Sequence, residues 1–218
     1  MGDPDFLFIQ CLNDLCRLRF PVVVEGASIR ECPRCGSEVV VVAANDKPDS
    51  LHPNGQTDGP KWVGILDNIR SIHNTGSMFR TADGAGFAHL YLCGITPTPE
   101  HPRLANAALG SQNTVNWTYS PNGVDLATSL LDNGYRLWAL ERIGSMTPAT
   151  TNTIYPDSQM ALVVGNEKAG VDPVILSLCE GVIGLPMVGH KSSLNVAVAF
   201  GIAAYHLRFG SDALIWQK

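Results

Sequence analysis

From residue 61 onward, short apolar runs alternate with helix-length segments, and this alternation constrains the fold more than any other property of the chain. Strands are expected at 62–66, 88–93, 136–140, 160–164 and 181–185, with 115–119 extended. Helices are expected at 74–84, 101–110, 124–133, 173–178 and 194–207. Such strands show little polar alternation, which is how a strand reads when both of its faces are buried. Strands of that kind, each followed by a helix, build a parallel sheet covered by helices. The expected class is therefore α/β, a mostly parallel sheet with helices on both faces. The last helix carries Val196, Val198, Ala199, Ile202, Ala203 and Tyr205 and is apolar nearly all round, so it needs burial on several sides.

The first 44 residues are of another kind. They hold two β-rich runs, at 20–24 and 39–42, and four of the six cysteines. Cys11 and Cys16 form one pair, Cys32 and Cys35 the other, with fifteen residues between the pairs. Two such pairs on turns joined by a hairpin set four thiolates tetrahedrally around Zn²⁺. Pro33 and Gly36 suit the tight second turn. A block this small scarcely has a core of its own, so the metal would also supply folding energy. The expectation is a zinc-ribbon-like β module at 1–44 with structural zinc on Cys11, Cys16, Cys32 and Cys35. Its arginines, Arg17, Arg19, Arg30 and Arg34, suit either phosphate contact or a solvated face. Residues 45–60 contain almost nothing a core can use and read as a linker to a domain at 61–218.

The net charge of −5 runs against a nucleic-acid partner, but it is unevenly placed. Residues 1–60 hold five Lys/Arg and nine Asp/Glu, the remainder ten and eleven. A near-neutral domain still accommodates a local basic face. There is no apolar run of the roughly 18–20 residues that crosses a bilayer. The amino terminus lacks the basic start and apolar core of a secretory signal. With cysteines clustered as metal ligands rather than disulfides, the expected setting is cytoplasmic, without a membrane partner.

Three segments carry the chemistry. The first runs from Asn74 through Thr-Gly-Ser-Met-Phe to Arg80. The second is Gly165-Asn-Glu167-Lys-Ala-Gly170, after an apolar strand, where glycines admit close backbone approach by a ligand. The third runs from Leu185 through Met187, Ser193, Leu194 and Asn195 into the last helix. In this order they resemble the three signature motifs of the SpoU (TrmH-like) RNA 2′-O-ribose methyltransferases, a branch of the knotted SPOUT superfamily. The resemblance covers roughly residues 61–210 and leaves the cysteine module outside. It implies a trefoil knot, which periodicity does not reveal, and a homodimer whose second subunit helps bury the last helix. It implies S-adenosylmethionine as methyl donor, lined by Gly165, Glu167, Leu185, Met187 and Leu194, and an RNA acceptor, tRNA or rRNA.

By the same resemblance, Asn74, Arg80, Glu167, Ser193 and Asn195 form the catalytic set. Asn74 also reads as the N-cap of its helix. The family's matching arginine is assigned the general base, yet guanidinium is not readily deprotonated. Orienting a phosphate beside the reacting hydroxyl suits Arg80 better. Glu167 either handles a proton or braces neighbouring loops through backbone N–H groups. Asn195 holds Glu167 or the ribose, and Ser193 donates to the donor or the substrate. Ala197 stands where the family often has Ser. Residues 101–111 resemble a family segment between the first two motifs, and equally suit a core helix with a glycine stop.

The expected activity is methyl transfer from S-adenosylmethionine to a ribose 2′-hydroxyl of structured RNA. The alternative is a non-catalytic RNA-binding or assembly module on the same fold. A small-molecule α/β enzyme with a nucleotide cofactor is the third reading, favoured by the acidic charge.

Overall fold

A computed structural model of the chain describes residues 6–24, 30–45, 62–142 and 159–210. It divides into two compact units, Met1–Gln56 and Thr57–Lys218. Apart from Asn45, which closes a strand, the expected linker lies outside the described residues.

The first unit is a three-stranded antiparallel sheet in the order β2-β1-β3, with β1 Phe6–Cys11, β2 Arg19–Val23 and β3 Val39–Asn45. The two valine-rich strands were expected, but the central one was not. Phe6–Cys11 mixes apolar residues with Gln10 and shows no clean alternation, and pairing on both edges is what makes it a strand. Opposite it, Ile9 faces Phe20 and Val41, and Cys11 faces Val39. Only Ile9, Cys11 and Cys32 are buried apolar side chains here among the described residues.

The second unit runs β4 Trp62–Asp67, α1 Ile72–Ala85, β5 His89–Cys93, α2 Pro102–Ala108, β6 Trp117–Ser120 and α3 Gly123–Asp132. It continues with β7 Arg136–Leu140, β8 Met160–Val164, α4 Pro173–Leu178, β9 Gly181–Ile183 and α5 Val196–Phe209. Its sheet has the order β6-β5-β4-β8-β7-β9. Every neighbouring pair is parallel.

Period-two geometry splits each central strand between two cores. Trp62, Leu66, Trp138, Leu140, Met160, Leu162 and Val164 face α1, α2 and α5, packing on Met78, Phe79, Leu104 and Phe200. Val63, Ile65, Leu137, Ala139, Ala161 and Val163 face the other way, onto Ala127, Leu130 and Ile175 of α3 and α4. Strands buried on both sides explain why the sequence reads as unbroken apolar runs. A Cβ at Gly64 would come within 2.6 Å of Leu90 Cδ2, so the buried Leu90 side chain would have to shift, while the Phe200 ring at 3.7 Å would be in ordinary contact.

Two helix starts differ from the sequence reading. Ser71, not Asn74, caps α1, its hydroxyl accepting the Asn74 N–H. Asn74 thus sits in the first turn with its amide free for other partners. Helix α5 begins at Val196, because Asn195 takes the cap position and accepts the Ala197 and Val198 N–H groups. Helix α2 ends at Ala108, where Leu109 and Gly110 turn left-handed at φ 51° and 96°. No helix among the described residues is long and apolar enough to cross a membrane.

Candidate active site and cysteine centre

Open parallel sheets bind ligands beyond the carboxyl ends of their strands. At that edge, the loop after β4 meets the loop after β8. Asn68 holds φ 57°, and its side-chain oxygen accepts the Ile95 N–H at 3.2 Å. The buried Thr96 hydroxyl donates to Leu66 O at 2.8 Å and accepts the Ile69 N–H at 3.0 Å. From the other loop, Asn166 Nδ2 donates to Asn68 O at 2.8 Å, while its Oδ1 accepts the Lys168 and Ala169 N–H groups. These ties hold the backbone N–H groups of Arg70 and Ser71 toward Glu167.

Glu167 takes both. Its Oε2 accepts Arg70 N–H at 2.9 Å, and its Oε1 accepts Ser71 N–H at 3.1 Å and Asn74 Nδ2 at 2.8 Å. Asn74 Oδ1 in turn accepts Asn195 Nδ2 at 3.0 Å. One chain of polar contacts thus links a residue from each of the three segments. Desolvation pushes the Glu167 carboxyl up, but the Arg70 N–H, its own N–H, the Asn74 amide and the Ser71 N–H together hold it below its ordinary value. Three of these are hydrogen bonds, two on Oε1 and one on Oε2, so most of the roughly four acceptor directions of the carboxylate are taken.

Beside this chain lies a cavity of about 330 Å³. Gly165, Glu167, Leu185, Met187, Ser193, Leu194 and Asn195 all line it, together with Leu140, Glu141 and Gly170. Gly165 allows the loop to fold back on itself, since a Cβ there would lie 2.3 Å from the Gly170 carbonyl and the Val171 nitrogen. Leu185, Met187 and Leu194 supply the apolar wall, and the loop supplies backbone polar groups. A cavity of this size and mix suits a nucleoside-sized ligand.

Arg80 is the expected site residue that one chain does not bring in. It is exposed on α1 and is not part of the cavity wall. It shares an exposed stripe with His73 and Ser77, which puts it next to Asn74's face but two turns along the helix. Sequence reading missed Asn68, Thr96, Glu141 and Asn166. Asn166 sits inside the second segment and Asn68 precedes a turn, so both carried a weak local signal. Thr96 and Glu141 carried none, because their partners are about thirty residues away.

In the first unit, the Sγ atoms of Cys11, Cys16, Cys32 and Cys35 all lie within 4.8 Å of one another. Cys11 and Cys35 are 3.5 Å apart, Cys16 and Cys32 3.8 Å. A tetrahedral zinc site with bonds of about 2.3 Å needs sulfur separations of about 3.8 Å. The Arg17 backbone is left-handed at φ 46° and Gly36 at φ 70°, which closes both turns around the thiols.

Comparison with known proteins agrees with this geometry. The family model described as the SpoU rRNA Methylase family matches residues 62–205. A 23S rRNA (guanosine-2′-O-)-methyltransferase RlmB from Burkholderia sp is 34% identical over 156 residues, covering 68% of this chain and 59% of the relative. The chain therefore spans about three fifths of the length of curated relatives it matches. Among solved structures, the A. aeolicus TrmH/SpoU tRNA modifying enzyme aligns with a TM-score of 0.59 at 28% identity, covering 68% of this chain and 74% of that one. The AdoMet-bound rRNA methyltransferase from Sinorhizobium meliloti aligns with a TM-score of 0.62 at 26% identity, covering 80% and 65%. With its matched segment spanning the whole parallel sheet and all three polar segments, the chain belongs to the SpoU rRNA methylase family.

Proposed function

We propose that this protein transfers a methyl group from S-adenosylmethionine to a ribose 2′-hydroxyl of structured RNA, tRNA or rRNA. The observation that carries the proposal is the Glu167–Asn74–Asn195 contact chain standing beside a nucleoside-sized cavity. Relatives named as RNA methyltransferases and an AdoMet-bound neighbour support the same donor and acceptor class.

Bound S-adenosylmethionine supplies an electrophilic methyl on a sulfonium leaving group, so the protein's task is positioning and handling of the hydroxyl proton. Leu185, Met187 and Leu194 seat the nucleoside, with Gly165 giving backbone access. Glu167, which accepts three donors from the Arg70–Asn74 stretch, braces the two loops rather than taking a proton. Asn74 fixes Glu167 to Asn195 and so ties the α1 and α5 starts to the cavity mouth. Ser193, exposed on the cavity wall, donates to the donor or the sugar. Arg80 orients the target phosphate with its planar fork and eases loss of the hydroxyl proton. Exposed Arg70, Lys168 and Lys191 add local positive charge in a chain of net −5.

A homodimer belongs to the same proposal. Helix α5 leaves Val198, Ile202, Tyr205 and Phe209 exposed at 51%, 45%, 38% and 42%, spaced as one stripe along the helix. Such a stripe calls for a partner, and a second copy brings another Arg80. In the first unit, Cys11, Cys16, Cys32 and Cys35 hold structural zinc; the thiol set and its spacing fit that ion.

Incubation with methyl-labelled donor and unmodified cellular RNA tests the activity. Label should enter nuclease-sensitive material and resist alkali at the modified link, because a 2′-O-methyl group blocks in-line attack by that oxygen. Absence of incorporation into RNA from cells lacking the protein would overturn the proposal.

A further inference from the structure

Two carboxylates line the cavity, and they differ in what they have left to offer. Glu167 accepts three donors, Ser71 N–H and Asn74 Nδ2 on Oε1 and Arg70 N–H on Oε2, all from the loop and helix it braces. Glu141, at the carboxyl end of β7, accepts one N–H on each oxygen: Val171 N–H on Oε1 at 2.7 Å and Arg142 N–H on Oε2 at 3.0 Å. Each carboxylate oxygen takes about two donors, so among the described residues Glu141 keeps about one open direction per oxygen. Its backbone is fixed as well, since the Glu141 N–H donates to Ile183 O at 3.1 Å. The side chain is half-buried and pressed by Gly170, where a Cβ would come within 2.4 Å of Oε1. Glycine at φ 80° thus leaves room for the carboxylate against the loop.

A preorganised, partly filled carboxylate at a strand's carboxyl end, facing a nucleoside-sized cavity, is a receptor for hydroxyl donors. Vicinal hydroxyls match two adjacent oxygens each with one open direction. We propose that Glu141 binds the ribose hydroxyls of the methyl donor, an inference that rests on the methyltransferase reading of this cavity. The contact is to the donor's nucleoside half, so it is shared by S-adenosylmethionine, its demethylated product and 5′-methylthioadenosine, which lacks the amino-acid portion. It also gives Glu141 a role distinct from Glu167: one carboxylate meets the ligand, the other holds the loops.

The test is calorimetric binding of S-adenosylhomocysteine and 5′-methylthioadenosine to the full chain and to Glu141→Gln. Glutamine keeps an oxygen for the Val171 N–H and gives up only the exposed Arg142 N–H contact, so the unliganded variant should melt close to the wild type. Both ligands should bind the variant about tenfold more weakly, the size of a lost charge-assisted hydrogen bond. Removing both ribose hydroxyls from 5′-methylthioadenosine should weaken wild-type binding by a similar factor and change variant binding little. Loss confined to S-adenosylhomocysteine would assign Glu141 to the amino-acid end and overturn the inference. Unchanged affinity for both ligands would overturn it too. A wild-type chain that binds neither ligand would instead remove the methyltransferase reading itself.

Discussion

The amide of Asn195 uses its two ends for different purposes. Its oxygen accepts the Ala197 N–H at 2.9 Å and the Val198 N–H at 3.4 Å, capping α5, while its nitrogen reaches Asn74 at 3.0 Å. Asn195→Asp keeps the cap and loses the donor; Asn195→Ala loses both. The alanine variant should be about 1 kcal/mol less stable in denaturant melts, the usual worth of a cap, while the aspartate variant should match wild type. Methyl transfer should fall at least about tenfold in both. An aspartate variant with full activity would remove Asn74–Asn195 from the mechanism. Glu167 adds a pH dependence. Its folded carboxyl lies below the ordinary value of 4.5, so its bracing is fully present above about pH 4.5 and is lost as pH falls through the lower folded value. In thermal melts across that acid range, wild type should lose stability more steeply than Glu167→Gln. The acid-labile brace is the reason, since the amide has no charge to lose. Both residues were legible in the sequence because each sits in a segment of recognisable pattern.

At the scale of elements, close helix packing depends on glycines whose need is invisible in one dimension. Gly76 of α1 lies against α2, where a Cβ would come within 2.4 Å of Ala107 Cβ and 2.8 Å of its backbone carbon. Backbone cannot yield as a side chain can, so Gly76→Ala should force α1 and α2 apart. The expected cost is about 1–3 kcal/mol, set against the small gain in helix propensity that alanine brings. Chemical denaturation of the two proteins checks it, and an unchanged midpoint would show that the helices shift freely. In the same way β1, unheralded by alternation, exists because β2 and β3 pair with both its edges. Element positions in the second unit were otherwise readable to within a residue or two, because two-sided burial writes each strand as an apolar run. Helix starts moved where a capping side chain, Ser71 or Asn195, decided the first turn.

For the whole molecule, two expected outcomes concern parts that one domain core does not explain. If zinc holds the first unit, chelation or Cys32→Ser should release about one metal ion per chain and unfold that unit. The sheet unit has its own two apolar cores and should keep its circular dichroism and melting transition. Retention of metal by the Cys32 variant, measured by atomic emission, would reject the four-cysteine site. If the α5 stripe joins two copies, Ile202→Glu should shift the sedimentation coefficient to that of a monomer, because it buries a charge in an apolar contact. The charge should also depress RNA methylation if Arg80 acts across that contact. An unaltered sedimentation profile would place any dimer contact elsewhere.

Local chemistry in the chain was enough to set the class and the roster: apolar period, turn glycines and cysteine spacing act over a few residues and survive in one dimension. The α/β class and the four thiols were readable for that reason, while Asn74, Glu167 and Asn195 stood out through the resemblance of their segments to the SpoU motifs. The strand order β6-β5-β4-β8-β7-β9, the two-sided core and the meeting of Glu167 with the Arg70 and Ser71 backbone were not. Those depend on contacts between residues nearly a hundred positions apart, where tertiary packing alone chooses partners. The same packing turned Glu141, unremarkable in sequence, toward the cavity, and left Arg80, conspicuous in sequence, exposed outside it.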